Sequence, residues 1–283
     1  MENQHARGVL MTVLAAIVWS TGGLLIKLIS HDAFTILFYR SLYAGIFFLI
    51  VFRKEALQID RRILITAACY APLLICFVTA TKLTTAANAI FLQYISPAIV
   101  LILEPRLLKT RILGYNLITV IVCIVGLSFF LVEQSGERSW TGDGLALLGG
   151  FFSACLILSL KAANRTQQMS GILWGNVLVV LITLPWFLRS EPSTVNEHLM
   201  LAFLGFIQIG LGYLLFTYGQ RRIPAIDSSL ITMLEPILNP LWVMIGYHEI
   251  PSIWSVIGGF IILAALATRM LYLRWLEKKM MET

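Results

Sequence analysis

Charged side chains are scarce in this sequence. Only 13% of its 283 residues are Asp, Glu, Lys or Arg, against about 25% in soluble domains, and a mean hydropathy of +0.84 excludes a soluble globular chain. Cysteine is equally thin. Cys69, Cys76, Cys123 and Cys155 sit inside apolar runs with no CxxC spacing, which argues against a disulfide framework or a zinc site and makes them packing residues. His5, His31, His198 and His248 are scattered over the ends of apolar runs, without an HExxH or a Ser/His/Asp grouping. Gly149–Gly150 and Gly258–Gly259 have no preceding strand and no following Lys-Ser/Thr, so they read as close helix contacts rather than phosphate cradles. No metal and no cofactor are expected. The first apolar run, after Arg7, has no small-x-small cleavage site and is too long for a signal peptide, so it is read as a retained span.

What the sequence does have is apolar runs of membrane-crossing length, about 20 residues each. They fall near 8–29, 33–52, 62–80, 85–105, 111–131, 142–161, 169–188, 198–218, 226–246 and 252–272, giving ten expected spans. With a cytoplasmic N-terminus, the inside segments hold 16 of the 21 Lys and Arg, a bias that sets both termini inside and the chain as a multi-pass protein of the cell (inner or plasma) membrane. The net charge of +6 is spread singly and in pairs at the ends of runs, which fits membrane topology and not nucleic acid. Lys27 and Arg40 lie in the outer third of their spans, where long side chains can snorkel to the headgroups.

The polar stretch EQSGERSWTGD, Glu133 to Asp143, divides the chain near its middle. A shift of 139 residues sets Lys82 on Arg221, Asn88 on Asp227, Ser96 on Glu235 and Pro97 on Pro236; a shift of 134 sets Gly8 on Gly142 and Lys27 on Lys161; a shift of 136 sets Arg40 on Asn176. Five spans are an odd number, so a tandem copy enters the membrane in the opposite sense. The expected fold is an all-α membrane protein of ten transmembrane helices in two inverted five-helix repeats, 1–135 and 136–283, forming one integrated domain with a binding site near the midplane.

The ninth span carries the clearest polar wall. At about 100° per residue, Ser228, Thr232, Glu235, Asn239 and Trp242 share roughly 80° of arc. Pro236 and Pro240 remove backbone donors, so the carbonyls of Thr232 and Pro236 lose their helical partners near the middle of the segment. Such groups are tolerated in a membrane only where neighbours or a wet cavity satisfy them. Two readings of Glu235 follow: a functional carboxylate, or a structural one paired to a basic residue on a neighbouring helix. In the fourth span Asn88, Gln93 and Ser96 either face that wall across a ligand or bond helix to helix, and Pro97 frees the carbonyl of Gln93. Trp19, Tyr94, Trp174, Tyr213, Phe216 and Trp242 are candidates for an aromatic lining able to hold a ring or a cation, or else ordinary packing.

LTTAANAIFLQYISPAIVLIL (83–103) and IPAIDSSLITMLEPILNPLWVMIGYHE (223–249) resemble the paired fourth and ninth spans of the EamA family in the drug/metabolite transporter superfamily. Trp19, Ser20 and Lys27 of the first span and the FYRSL around Arg40 fit the same pattern. The resemblance implies a central cavity lined mainly by spans three, four, eight and nine, and export of small metabolites. It departs at one point: the acidic residue that often closes the fourth and ninth spans is present as Glu249 but replaced by Thr110, so no role is carried to that end of the first repeat.

The reading reached is a secondary transporter, not an enzyme, that exports a small amphipathic metabolite by alternating access, with an amino acid or other amine-bearing compound as the leading substrate. Glu235 would meet a cation or carry a coupling proton, because a carboxylate near the midplane is expensive to keep ionised without compensation. The expected partners are the substrate, the bilayer and protons, with a monomeric chain. The alternative, an intramembrane enzyme acting on lipid or peptide, needs paired catalytic groups, and one mid-span carboxylate is visible. In a cysteine-free background, labels at Ser139 and Ser193 should react from outside and those at Gln58 and Glu282 only after permeabilisation. Equal outside labelling at Gln58 would reject the ten-span topology.

Overall fold

The computed structural model describes residues 2–96, 98–100, 102–103, 114–130, 139–223, 231–232 and 234–281. Every regular element among them is helical. The first span is two helices, α1 (Glu2–Ser20) and α2 (Gly22–Leu28), separated at Thr21. Gly22 and Gly23 then present a bare backbone, and a Cβ on Gly23 would collide with the carboxamide of Asn239. α3 (Ala33–Phe52) starts at Asp32, whose side chain accepts from the N–H groups of Phe34 and Thr35, satisfying two of the donors a helix start leaves open. A 3-10 turn (Arg53–Leu57) leads to α4 (Arg61–Leu83). Asp60 caps α4, and the N–H of Ile63 and the amide of Gln167 together hold its carboxyl below the usual carboxylate range.

After α5 (Ala86–Gln93) and α6 (Gly114–Phe130), the second half opens with α7 (Trp140–Lys161) and α8 (Arg165–Phe187). The next span is composite. α9 (Val195–Ala202) begins with a Thr194/Glu197 capping box, passes into a π-helical stretch (Phe203–Leu211) and resumes as α10 (Gly212–Gln220). α11 (Leu234–Tyr247) and α12 (Ile253–Met281) complete the chain. Among the described residues, six stretches are long and apolar enough to cross a membrane: Gln4–Leu28, Ala33–Leu57, Arg61–Leu83, Trp140–Leu160, Arg165–Phe187 and Val195–Gly219. They correspond to the expected spans one, two, three, six, seven and eight. The other four runs hold the shorter described helices α5 and α6, together with α11 and α12, and parts of the fourth, fifth and ninth runs lie outside the described residues. The protein is therefore an all-helical membrane protein.

α4 lies against α7 and α8, α3 against α8 and the π-helical stretch, α1 against α10, and α6 against α12; α11 meets α1, α2 and α5. Glycines set several of these approaches. Gly171 and Gly175 of α8 sit on Thr66 and Tyr70, Gly205 sits on the backbone of α3 at Arg40, and Gly212 sits on the indole of Trp19. In each, a Cβ would meet its neighbour below ordinary contact distance.

One end of the bundle is tied ionically. Lys27 does not snorkel: its Nζ lies 2.7 Å from Glu249 Oε2, with side chains 12% and 8% exposed, and donates to the carbonyl of Thr84 at 2.9 Å. Glu249 Oε1 accepts from the N–H of Ala86 at 2.7 Å. Lys82 Nζ donates to the Ile29 carbonyl at 2.5 Å. Removing one partner of a buried pair leaves a charge uncompensated, so Glu249→Gln should cost about 3 kcal/mol, while replacing both by apolar side chains of similar volume should recover most of it. Thermal unfolding in detergent would read both; a single variant as stable as the wild type would show that the pair does not hold this end.

Candidate functional site

The expected polar wall of the ninth span meets a tyrosine. Tyr94 follows the last turn of α5, and its hydroxyl lies 2.9 Å from the Thr232 carbonyl and 3.1 Å from Glu235 Oε2. Pro236 is the residue that deprives that carbonyl of its helical donor. A phenol that follows another helix thus bonds that carbonyl and orients the Glu235 carboxylate. No ion pair is made by Glu235 among the described residues.

Arg40 departs from its expected place. It is 2% exposed, and its Nη2 donates to Gln208 Oε1 at 2.6 Å. Gln208, set in the π-helical stretch, uses its other end to donate to the Trp19 carbonyl at 3.2 Å. Lone π-helical turns recur at functional sites because they rotate side chains out of the α-helical register. Gly205 lets this stretch rest on α3 beside Arg40. The guanidinium shares its surroundings with Tyr70 and Tyr213, whose rings meet edge to face at 5.7 Å. Asn176 Nδ2 donates to the Tyr70 hydroxyl at 3.2 Å and to the Ile172 carbonyl at 2.9 Å.

Aromatic rings extend the same region. Trp19 lies 5.1 Å from both Tyr213 and Phe216, and its buried Nε1 has no acceptor. Trp242 donates to Ser20 Oγ at 2.9 Å, linking α11 to α1. Asn239 is fully buried, and neither its Oδ1 nor its Nδ2 has a partner. Gln93 likewise leaves Oε1 buried and unbonded. Unmatched buried amides of this kind are uncommon and mark places where a ligand or water completes the bonding.

The remaining candidates lie elsewhere. Asn88 accepts from Ser255 Oγ at 2.6 Å, a helix-to-helix bond. Ser96 is buried near the middle of the fourth run. Trp174 points to the chain between α3 and α4, donating to the Gln58 carbonyl at 3.0 Å. Ser228 and Pro97 fall outside the described residues. Sequence reading missed Gln208, Tyr70 and Asn176. A polar amide within an apolar run was a usable signal for Gln208 and Asn176; the partner of Tyr70 was not.

The EamA-like transporter family model matches the chain twice, over residues 6–132 and 140–270. The chain belongs to the EamA-like transporter family. It is 24% identical over 268 residues to the pseudopaline exporter CntI of Pseudomonas aeruginosa, covering 91% of this chain and 94% of that protein. It is 22% identical over 197 residues to the biotin transporter of Escherichia coli strain K12, covering 64% of each. A crystal structure with 17% identity aligns over 96% of this chain and 99% of that one, with a TM-score of 0.65, which speaks to fold alone. This EamA-like protein is thus a multi-span membrane protein of a transporter family acting on small molecules. Tyr94→Phe would remove the single O–H that the Thr232 carbonyl and Glu235 share, and losing that hydrogen bond should cost about 0.5–1.5 kcal/mol in thermal unfolding. An unchanged midpoint would show that water already serves both acceptors.

Proposed function

We propose that this EamA-like protein is a secondary transporter of the inner or plasma membrane that exports a small amphipathic metabolite, an amino acid or another amine-bearing compound, by alternating access. The carrying observation is Glu235: a half-buried carboxylate held by the Tyr94 hydroxyl, with no ion-pair partner among the described residues. A purely structural carboxylate would be expected against a base, and Arg40 gives its bond to Gln208 instead.

The inverted-repeat reading, with ten spans, halves at 1–135 and 136–283 and both termini cytoplasmic, draws support from paired contacts. Exchanging the halves turns α4 against α7 into α10 against α1, and α4 against α8 into the π-helical stretch against α3. Gly142 rests on Leu83 and Thr84, and Gly8 rests on Arg222 and Ile223, the residues a 139-residue shift assigns. Asn176 of the second half bonds Tyr70 of the first, and Tyr70 in turn meets Tyr213 of the second half edge to face. Two matches to one family model point the same way. Sites in such folds lie between the repeats at midplane, and a cluster drawing residues from both halves supports that reading.

Glu235→Gln keeps the shape of the side chain and removes its charge. Reconstituted into sealed vesicles, the variant should stay monodisperse yet lose transport, or lose its dependence on pH if the carboxyl carries a coupling proton. Normal transport with unaltered pH dependence would take Glu235 out of the mechanism.

A further inference from the structure

The transporter reading leaves Arg40 without a task, and its bonding shows one. A guanidinium has five N–H donors and no acceptor, and it stays charged in proteins. Here Nη2 has Gln208, while Nε and Nη1 are buried with no acceptor. At 2% exposure no bulk water reaches them. Leaving a buried cation half-bonded is costly unless something with lone pairs arrives. Each two-nitrogen edge of the guanidinium therefore has an open position, the geometry that carboxylates fill with two parallel bonds.

Glu235 comes to the same region from α11: of the neighbouring Gly22 and Gly23, the first lies against the Gln208 amide that holds Arg40 and the second against the Asn239 amide one turn from Glu235, whose carboxylate bonds Tyr94 rather than the guanidinium. A buried guanidinium and a half-buried carboxylate thus lie in one region of the bundle without closing on each other. We propose that they are the two ends of a zwitterion site: Arg40 takes the carboxylate of the substrate, and Glu235 takes its ammonium. Tyr70 and Tyr213 beside Arg40, with Trp19 and Phe216 beyond them, supply an aromatic surface for an apolar side group. Charge decides among substrates. A zwitterion matches both groups and brings no net charge into the interior; an amine without a carboxylate leaves Arg40 unmatched, and an acid without an amine leaves Glu235 so. Such a loss, a buried polar group left unpaired by the wrong ligand, discriminates far more strongly than a missing methylene. The assignment rests on the transporter reading but is separable from it.

The test uses matched triplets with the purified full chain: phenylalanine, phenethylamine and 3-phenylpropanoate; leucine, isopentylamine and 4-methylpentanoate; and the same series for the other natural side chains. Thermal unfolding in detergent gives apparent affinities, and sealed vesicles give transport. At least one zwitterion should bind the wild type ten-fold or more tightly than its amine and its acid. Arg40→Gln should bring that zwitterion to within about two-fold of the amine, and Arg40→Lys, which keeps charge but not the planar fork, should fall between. If Arg40→Gln fails to fold, the wild-type triplets still decide. An amine that binds the wild type as tightly as its zwitterion, a preference that survives Arg40→Gln, or no zwitterion bound in any triplet would each overturn the assignment. Transport of an amine by the wild type in those cases would leave the exporter reading standing, whereas failure of every compound to move would remove both.

Discussion

A guanidinium with 2% exposure inside an apolar bundle sets conditions that much of the surrounding chain meets. Burying an ionised group without compensation costs several kcal/mol even after relaxation. The first compensation is Gln208, which reaches Arg40 from a stretch wound as a π-helix, with Gly205 removing the bulk that would hold α3 and that stretch apart. Gln208 in turn is anchored on the Trp19 carbonyl, just before the α1 to α2 break. Three spans are thereby committed to one charge. The second group near this charge is the Glu235 carboxylate, one turn from the Asn239 amide that lies against Gly23; it bonds Tyr94 and leaves Nε and Nη1 of Arg40 unfilled.

Some of this was legible in the chain. Pro236 announces a freed carbonyl at Thr232, and the structure places a donor, the Tyr94 hydroxyl, on that oxygen. The inference worked because proline chemistry is local: a missing N–H has one identifiable victim, the carbonyl four residues back. Six of the spans were likewise visible, since length and apolarity are local too. Arg40 and Lys27 were not, because position along a span does not say whether a long side chain turns to lipid or to protein. Both turn inward, Arg40 to a glutamine 168 residues away and Lys27 to Glu249 and the Thr84 carbonyl. Tyr70 carries no signal at all in the sequence, being one aromatic among many; its meaning comes from Asn176 and Tyr213.

The distribution of small residues gives the halves their fit. Gly8 and Gly142 stand at corresponding ends of α1 and α7, each lying on a turn that follows a helix of the other half. Without a hydrophobic drive between helices in lipid, close packing over bare backbone is a main source of association. Contacts made chiefly by glycine on apolar side chains can slide at small cost, since no directional bond has to break. Directional bonds between the halves lie at the tied end, around Glu235 and Arg40, and at the opposite end, where Glu55, Gln58, Asp60, Arg62 and Thr66 bond to the segment 159–174.

That contrast bears on how such a bundle could open. The Lys27 and Glu249 pair is almost enclosed as the structure stands, with Thr84 and Ala86 completing its bonding. Opening this end would separate the two charges but also wet them, and an ion pair in water is worth about 0–1 kcal/mol. Water would also replace the bonds to the Thr84 carbonyl and the Ala86 N–H. The pair is thus strong only while the end is shut: it resists loss of one partner, yet opposes opening far less than a buried bridge would by its enclosed geometry. A closure with those properties fits a protein that must hold one face sealed and still release it, because the solvent that enters supplies the compensation that the partner withdraws.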